Sequence, residues 1–342
     1  MKLRKLADQV VVITGASSGI GLVAARLAAR RGARLVLNAR NGEALRAVAD
    51  EINSRGGQAI HVAGDVGNID DMQRLGDAAI SKFGRVDTWV NNAGVSIYGP
   101  VLEQSLEDQQ RLFQTNYWGV VNGSRVACKH MRDSGGALIN VGSVLSDRAI
   151  PIQGTYCASK HAVKGYTDAL RMELEEAGVP ISVTLIKPSA IDTPYRQHAK
   201  NLLPVEPLNP PPVYAPETVA KAILHCAEHP QRDVFVGGGG AALAESGHHA
   251  PGLTDKIMEA TMFDLQKSDV PKRADQQDSL HAPSEDGEER GGYPGHVAES
   301  SLFTKATLHP RLTWGLMLGV IGLTGYCLSQ RSNGRNKDGT IH

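Results

Sequence analysis

The chain has 342 residues, with 36 Lys or Arg against 36 Asp or Glu and a formal net charge of +0. That balance provides no field for a polyanion and excludes nucleic acid as the expected partner. The length suits one large domain with additions, or two domains. The four cysteines, Cys128, Cys157, Cys226 and Cys327, show neither metal-ligand nor disulfide-scaffold spacing, so no metal site is expected and a reducing compartment is.

Only five residues of apolar character, Val10 to Thr14, precede the first glycines, too few for the core of a secretory signal. Val10 to Ile13 is a β-branched run, the pattern of a strand buried on both faces of a parallel sheet. It runs into Thr14-Gly15-Ala16-Ser17-Ser18-Gly19-Ile20-Gly21, and Leu22 to Arg31 then read as an alanine-rich helix stopped by Gly32. Strand, glycine loop and helix in that order make a phosphate site. Gly15 permits the tight turn, Gly19 lets backbone approach a pyrophosphate, and Gly21 allows helix to pack on strand. Ser17, Ser18 and Ile20 stand at the helix N-terminus, where free N–H groups and the positive dipole end favour an anion. An ordinary strand-to-helix turn is the plainer alternative.

A second strand, Arg34 to Asn38, ends at Ala39-Arg40. An acidic residue there would bind the ribose 2′-hydroxyl of NAD. The Arg40 guanidinium instead suits a 2′-phosphate, so NADP(H) is the expected cofactor. The alternation continues with a helix over 43–54 and a strand over 58–62, beyond which Asp65 and Val66 are within reach of an adenine ring. A helix over 69–83 and a strand over 86–90 lead to Asn91-Asn92-Ala93-Gly94. Ser105 caps a long helix that carries Asn116, and a strand over 137–141 leads to Gly142-Ser143. Alternation at this spacing specifies an α/β fold with a doubly wound parallel sheet.

Gly154-Thr155-Tyr156-Cys157-Ala158-Ser159-Lys160 opens the next helix. Tyr156 and Lys160, four apart, point the same way. An ammonium beside a phenol is expected to lower its pKa from about 10 towards neutrality. Such a phenol donates or accepts a proton as carbonyl reduction or alcohol oxidation requires. Alone, the pair is more often a solvated helix face; the upstream residues give it weight.

From about Leu6 to Gly240 the chain resembles the short-chain dehydrogenase/reductase family in its Rossmann-type form. The matches are Thr14-Gly-Ala-Ser-Ser-Gly-Ile-Gly21, Asn91-Asn-Ala-Gly94, Asn116, Ser143 and Tyr156-Cys-Ala-Ser-Lys160, in the family's order. The resemblance implies that Tyr156 is general acid in reduction and general base in oxidation. Lys160 would bind the nicotinamide ribose and hold down the tyrosine's pKa. Ser143 would hydrogen-bond the substrate oxygen, and Asn116 would position a water linking Lys160 to solvent. Asn92, Ala93 and Gly94 would line the adenosine side of the cofactor cleft. After a sixth strand over 181–186, Lys187-Pro188-Ser189-Ala190-Ile191-Asp192-Thr193 fits the stretch whose Ile191 and Thr193 place the carboxamide, although the family more often has glycine where Ser189 stands. Arg40 agrees with NADP-preferring members, and a homo-oligomer is implied, with the Asn116 and Tyr156 helices at the interface. Relatives that keep the fold and only bind nucleotide usually lack one of the four polar residues; none is missing here.

Residues 1–267 are thus read as the catalytic domain. Within it, 194–216 holds Pro204, Pro207, Pro210, Pro211 and Pro212 and reads as a substrate lid. A helix over 217–228 and a strand over 234–236 follow, and Gly237 to Gly240 read as a flexible exit. Residues 252–267 have the spacing of an amphipathic helix, packed either on the domain or on a membrane. Over 268–310 charged and polar residues dominate, the composition of a disordered linker. Leu312 to Gln330 carry no charge over roughly 28 Å of helix. Trp314 and Tyr326 lie near its ends, and Gly315 and Gly319 form a helix-packing pair. A single-pass transmembrane anchor is expected, with a polar tail over 331–342 and the catalytic domain facing the cytoplasm; a core helix or a tail packed on another subunit are the alternatives. The combined expectation is a membrane-held, NADP(H)-dependent oxidoreductase interconverting the carbonyl and alcohol forms of a lipophilic small molecule. The rival is an inactive nucleotide-binding scaffold at a membrane.

Overall fold

Runs of β-branched and apolar residues build a seven-stranded sheet in the computed structural model, which describes residues 1–273, 277–283 and 287–309. The strands are β1 (Val10–Thr14), β2 (Arg34–Ala39), β3 (Gln58–Ala63), β4 (Thr88–Asn91), β5 (Gly136–Val141), β6 (Ile181–Pro188) and β7 (Asp233–Val236). They lie in the order β7-β6-β5-β4-β1-β2-β3, and every pair is parallel. β1, β4, β5 and β6 are buried at every position. Covered on both faces, they need continuous apolar runs and not alternation.

One face is covered by α1 (Gly19–Arg30), α2 (Gly42–Ser54) and α7 (Pro216–Cys226), through Leu22, Leu45 and Ile223 among others. The other carries α3 (Ile69–Phe83), α5 (Gly119–Met131) and α6 (Gly154–Glu176), with Met72, Leu75 and Met131 at its centre. The strand order reverses between β1 and β4, so the carboxyl ends of these two strands open a crevice of the kind in which such sheets bind ligands. At the opposite end, Asp87 is buried (5% exposed) and tied down. It accepts from Val10 N at 2.9 Å and pairs with Arg85 at 2.6 Å and Arg4 at 3.2 Å.

Ser105 caps α4 (Leu106–Phe113), its side chain accepting from Asp108 N at 3.1 Å. The long helix predicted from that cap is interrupted. Residues Gln114–Trp118 form a widened turn between α4 and α5, and Asn116 sits in it. Such widened turns are frequent at functional sites.

Three readings of the second half meet the structure differently. Gly237 to Gly240 is not a flexible exit, because α8 (Gly238–His249) starts there. A side chain at Gly240 would overlap Val144, and one at Gly239 would come within 3.1 Å of Pro212, so glycine lets the helix seat closely. In α9 (Pro251–Leu265), Thr254 and Met258 pack on the domain, while Leu253 and Ile257 face outward at 66% and 50% exposure.

The third reading concerns the linker predicted over 268–310. Lys267–Pro271 pairs antiparallel with Val205–Pro207, and Val297–Ala298 pairs parallel with Val213–Tyr214. α10 (Leu302–Leu308) packs against β7 and α7. This polar stretch builds no core of its own, as its composition requires; it attaches through backbone groups, charges and a few apolar side chains such as Leu280 and Leu308 that join the domain's core. The folded unit therefore runs beyond residue 267. The anchor expected over 312–330 and the tail over 331–342 lie outside the described residues. Among the described residues no helix is long and apolar enough to cross a membrane.

Candidate active site

The glycine loop is locked to the end of β4. Thr14 Oγ1 accepts from the backbone of Asn92 at 3.0 Å and of Ala93 at 3.2 Å. Asn92 Nδ2 donates back to Thr14 O at 3.0 Å and Gly15 O at 3.1 Å. Gly15 takes φ +64°, and an added Cβ would stand 2.8 Å from Ala93 Cα. One on Gly21 would overlap the Gly15 carbonyl and come within 2.7 Å of Asn92 Nδ2. Only glycine fits either place. Asn92 is therefore a brace for the loop as well as a lining residue.

Two cavities meet over these strand ends. The first, about 180 Å³, is lined by Gly15, Ser17, Ser18, Gly19 and Ile20 at the start of α1, and by Arg40, Asp65, Val66, Asn92, Ala93, Gly94 and Thr193. These are twelve of the predicted cofactor positions. Gly21 lies beneath them as packing, as its expected role requires. The Ser18 side chain makes no cap bond and lines the cavity, while the first N–H of α1, that of Gly19, already donates to the Glu288 carbonyl at 2.9 Å. Two predicted contacts are already engaged. The Arg40 guanidinium donates to the Ser279 carbonyl and, at 3.3 Å, to the Leu280 carbonyl. The Asp65 carboxylate accepts from Arg111 at 2.6 Å and from Gly67 N at 2.9 Å.

The second cavity, about 310 Å³, has Tyr156, Lys160, Ser143, Pro188, Ser189 and Ile191 on its floor. Its walls are mostly apolar, formed by Val144, Leu145 and Ile150, by Pro210 to Pro212 of the stretch read as a lid, and by Met262 of α9. Ser189 is accommodated where glycine is usual because it faces two glycines. A Cβ on Gly237 would lie 2.9 Å from Ser189 Cβ, and one on Gly240 would lie 3.0 Å from Ser189 Oγ. The space the serine fills is the space those residues leave.

Tyr156, Ser143, Lys160 and Asn116 are all buried, at 9%, 7%, 4% and 0% exposure. Ser143 and Tyr195 are the hydroxyl neighbours that favour the charged form of Tyr156. The lysine does not act as the spacing suggests. Lys160 Nζ lies 5.6 Å from the centre of the Tyr156 ring and donates to Val141 O at 2.9 Å. Burial pushes the Tyr156 phenol up to about 12, and Ser143 and Tyr195 pull against it without prevailing. Burial also lowers Lys160 to about 8. The expectation of a phenol drawn towards neutrality is thus reversed, because burial disfavours the phenolate more than its hydroxyl neighbours favour it, and the lysine is itself destabilised as a cation. Asn116 is also committed. Its Oδ1 accepts from Val95 N at 2.8 Å, and its Nδ2 donates to Val95 O at 2.9 Å and Ser159 Oγ at 3.1 Å. Its side chain braces the 94–95 turn against α6 and makes no bond to Lys160.

Sequence reasoning missed Tyr195. Its hydroxyl donates to Gln153 Oε1 at 3.2 Å, its ring meets Tyr156 edge-on at 5.6 Å, and it lines both cavities. Its position directly after Thr193-Pro194 was the available signal. Ser279 and Pro283, which also line the first cavity, had none.

The short chain dehydrogenase profile matches residues 9–202, more than half of the chain. The chain belongs to the short-chain dehydrogenase family. It is 47% identical over 324 residues to the uncharacterized oxidoreductase YxnA of Bacillus subtilis strain 168, covering 94% of this chain and 91% of that one. That match takes in most of the region beyond residue 267. A short chain dehydrogenase/reductase from Burkholderia phymatum in complex with NAD superposes with a TM-score of 0.66 at 28% identity, over 73% of this chain and 96% of the other. An alcohol dehydrogenase from the archaeon Thermococcus sibiricus complexed with 5-hydroxy-NADP gives 0.59 at 25%, over 67% and 95%. The protein is therefore a Rossmann-type oxidoreductase of this family, acting on CH–OH or C=O groups of small molecules with a nicotinamide dinucleotide. The residues present fit that cofactor: glycines with no room for a side chain, a helix N-terminus with the uncapped Ser18 side chain at one wall, and a cleft joined to an apolar cavity.

Proposed function

We propose that the protein is an NADP(H)-dependent reductase and dehydrogenase that interconverts the carbonyl and alcohol forms of a lipophilic small molecule. The observation that carries this reading is that Tyr156, Ser143 and Lys160 together line the apolar cavity that adjoins the glycine-loop cleft. The bound cofactor supplies or accepts hydride. Tyr156 gives its proton to the carbonyl oxygen in reduction and takes one back in oxidation. Ser143 turns its hydroxyl to the same oxygen as negative charge gathers there. Lys160 holds the ribose and, when charged, favours the phenolate. Asn116 keeps the floor of the site in register and orders the water that serves Lys160. With Tyr156 near 12 and Lys160 near 8, the proton rests on the phenol at neutral pH, which suits reduction. Alkaline pH favours oxidation.

NADP(H) is supported by Arg40 at the end of β2 with no acidic residue beside it, and by the 5-hydroxy-NADP held by one structural neighbour. The NAD held by the other is the competing case. Trp118 and Met172, 48% and 57% exposed on the Asn116 and Tyr156 helices, support a homo-oligomer joined through that face. The uncharged run over 312–330 supports a membrane anchor with the catalytic domain on the cytoplasmic side.

Purified protein is tested for NADPH consumption against a panel of ketones, aldehydes and acyl thioesters. Tyr156→Phe is expected to lower kcat by about 10³ while NADPH still binds. Arg40→Ala is expected to weaken NADPH at least about tenfold and leave NADH unchanged. Turnover of no carbonyl at all would favour the scaffold. Detergent-free fractionation with and without the residues beyond 310 tests the anchor.

A further inference from the structure

Two described pieces of the C-terminal region cross the cofactor cleft from outside. Residues 277–283 lie at the adenosine end. Leu280 is fully buried there, and its carbonyl accepts from Arg40 at 3.3 Å and from Arg111 Nε at 2.9 Å. Ser279 donates its N–H to His198 O at 2.7 Å, and His281 Nε2 meets Asp108 at 2.8 Å. Residues 287–293 lie at the glycine loop. Gly287 N donates to Ser17 O and Gly19 N to Glu288 O, both at 2.9 Å. Asp192 accepts from Gly291 N at 3.2 Å and from Tyr293 N at 2.9 Å. Three polar side chains fasten this strap at its edges. Glu289 pairs with Arg26 at 2.7 Å, Arg290 with Glu217 at 2.9 Å and Glu299 at 2.8 Å, and His281 with Asp108.

The strap thus touches the cleft where an anionic dinucleotide has most to gain. Its carbonyls occupy the Arg40 guanidinium, and one of its carbonyls takes the Gly19 N–H at the start of α1. Any anion reaching those donors competes with it. Yet apart from Leu280 its described residues contribute no fully buried apolar side chain, and a segment with few apolar contacts opens at lower free energy than the domain. The family profile ends at residue 202, well before the strap.

We propose that this strap is the outer wall of the cofactor site and gates passage of the dinucleotide: it lifts from Arg40 and the glycine loop to let the cofactor in or out and reseats against it. The inference rests on the reading of the cleft as the cofactor site. Ser279 and Pro283 are then cofactor-site residues supplied by the extension, and release of the oxidised or reduced cofactor is slowed by the need to undo the strap's attachments.

The test uses the full chain and the triple variant His281→Ala/Glu289→Ala/Arg290→Ala, whose side chains lie outside the cleft lining. Stopped-flow fluorescence with NADPH and with NADH gives association and dissociation rate constants, and hydrogen exchange of the 287–293 amides reports the strap. Expected are faster amide exchange and a rise of at least about fivefold in both rate constants, with single-turnover hydride transfer unchanged. Faster exchange with wild-type rate constants overturns the gate. Unchanged exchange overturns it too, because the pairs would then not hold the strap. Failure of the wild-type protein to bind either dinucleotide overturns instead the assignment of the cleft.

Discussion

β1 and the strap both meet the glycine loop, and they are held there by opposite means. All five residues of β1 are buried, and its register is set by ladders to β2 and β4 on either side. The strap is held by backbone carbonyls and by polar side chains that remain partly in water, with Glu289 at 30%, Arg290 at 37% and His281 at 43% exposure. Burial of apolar surface at about 25 cal/mol per Å² supports the first. Exposed ion pairs, each worth up to about 1 kcal/mol and screened by salt, support the second. The same loop is therefore fixed from below and releasable from above.

The sharpest way to break the comparison is Gly21→Val. Its side chain would overlap the Gly15 carbonyl at the joint of α1 and β1. We expect a loss of more than about 4 kcal/mol, read as insoluble protein or a collapsed thermal midpoint. Asp87→Ala comes next. It leaves Arg85 and the Val10 N–H without their buried acceptor and is expected to cost about 3 kcal/mol in denaturant unfolding.

Lys160→Met changes sign. The folded pKa of Lys160 is lowered from 10.5 to about 8, so folding holds a cation where it is disfavoured. That penalty, about 3 kcal/mol at 1.36 per unit, is fully present below pH 8 and fades as pH rises towards 10.5. Allowing about 1 kcal/mol for the lost bond to Val141 O, the variant gains about 2 kcal/mol at pH 7. The gain shrinks in melts run above pH 8. Smallest is Arg290→Ala, which is expected to lower global stability by less than about 1 kcal/mol, with the difference from wild type vanishing in high salt. A large, salt-independent loss would mean that the strap belongs to the core.

Much of this was legible in the residues. The β-branched run before Gly15, the glycines themselves and the four-residue step from Tyr156 to Lys160 each have one local physical meaning. The whole sheet followed from them, as did the gathering of most of the expected cofactor residues around one cleft. What was not legible depends on depth or on distance along the chain. The spacing puts a phenol and an ammonium on one helix face, but it does not show that both are buried deeply enough to shift against each other's charge. Gly237 to Gly240 have poor helix propensity, and packing on Val144 and Pro212 overrides it. The strap's composition has no period to read, and its partners lie far away in sequence, as when Gly19 bonds Glu288. Tyr195 is two residues past a recognised stretch, and only the fold turns it onto Tyr156.

The lowered Lys160 has a thermodynamic signature outside catalysis. Near pH 8 roughly half of the empty molecules hold this amine uncharged. An anionic occupant of the neighbouring cleft favours the ammonium, so complex formation draws protons from the medium. The heat recorded by titration calorimetry should then vary with the ionisation enthalpy of the buffer, most strongly near pH 8 and hardly at all near pH 6.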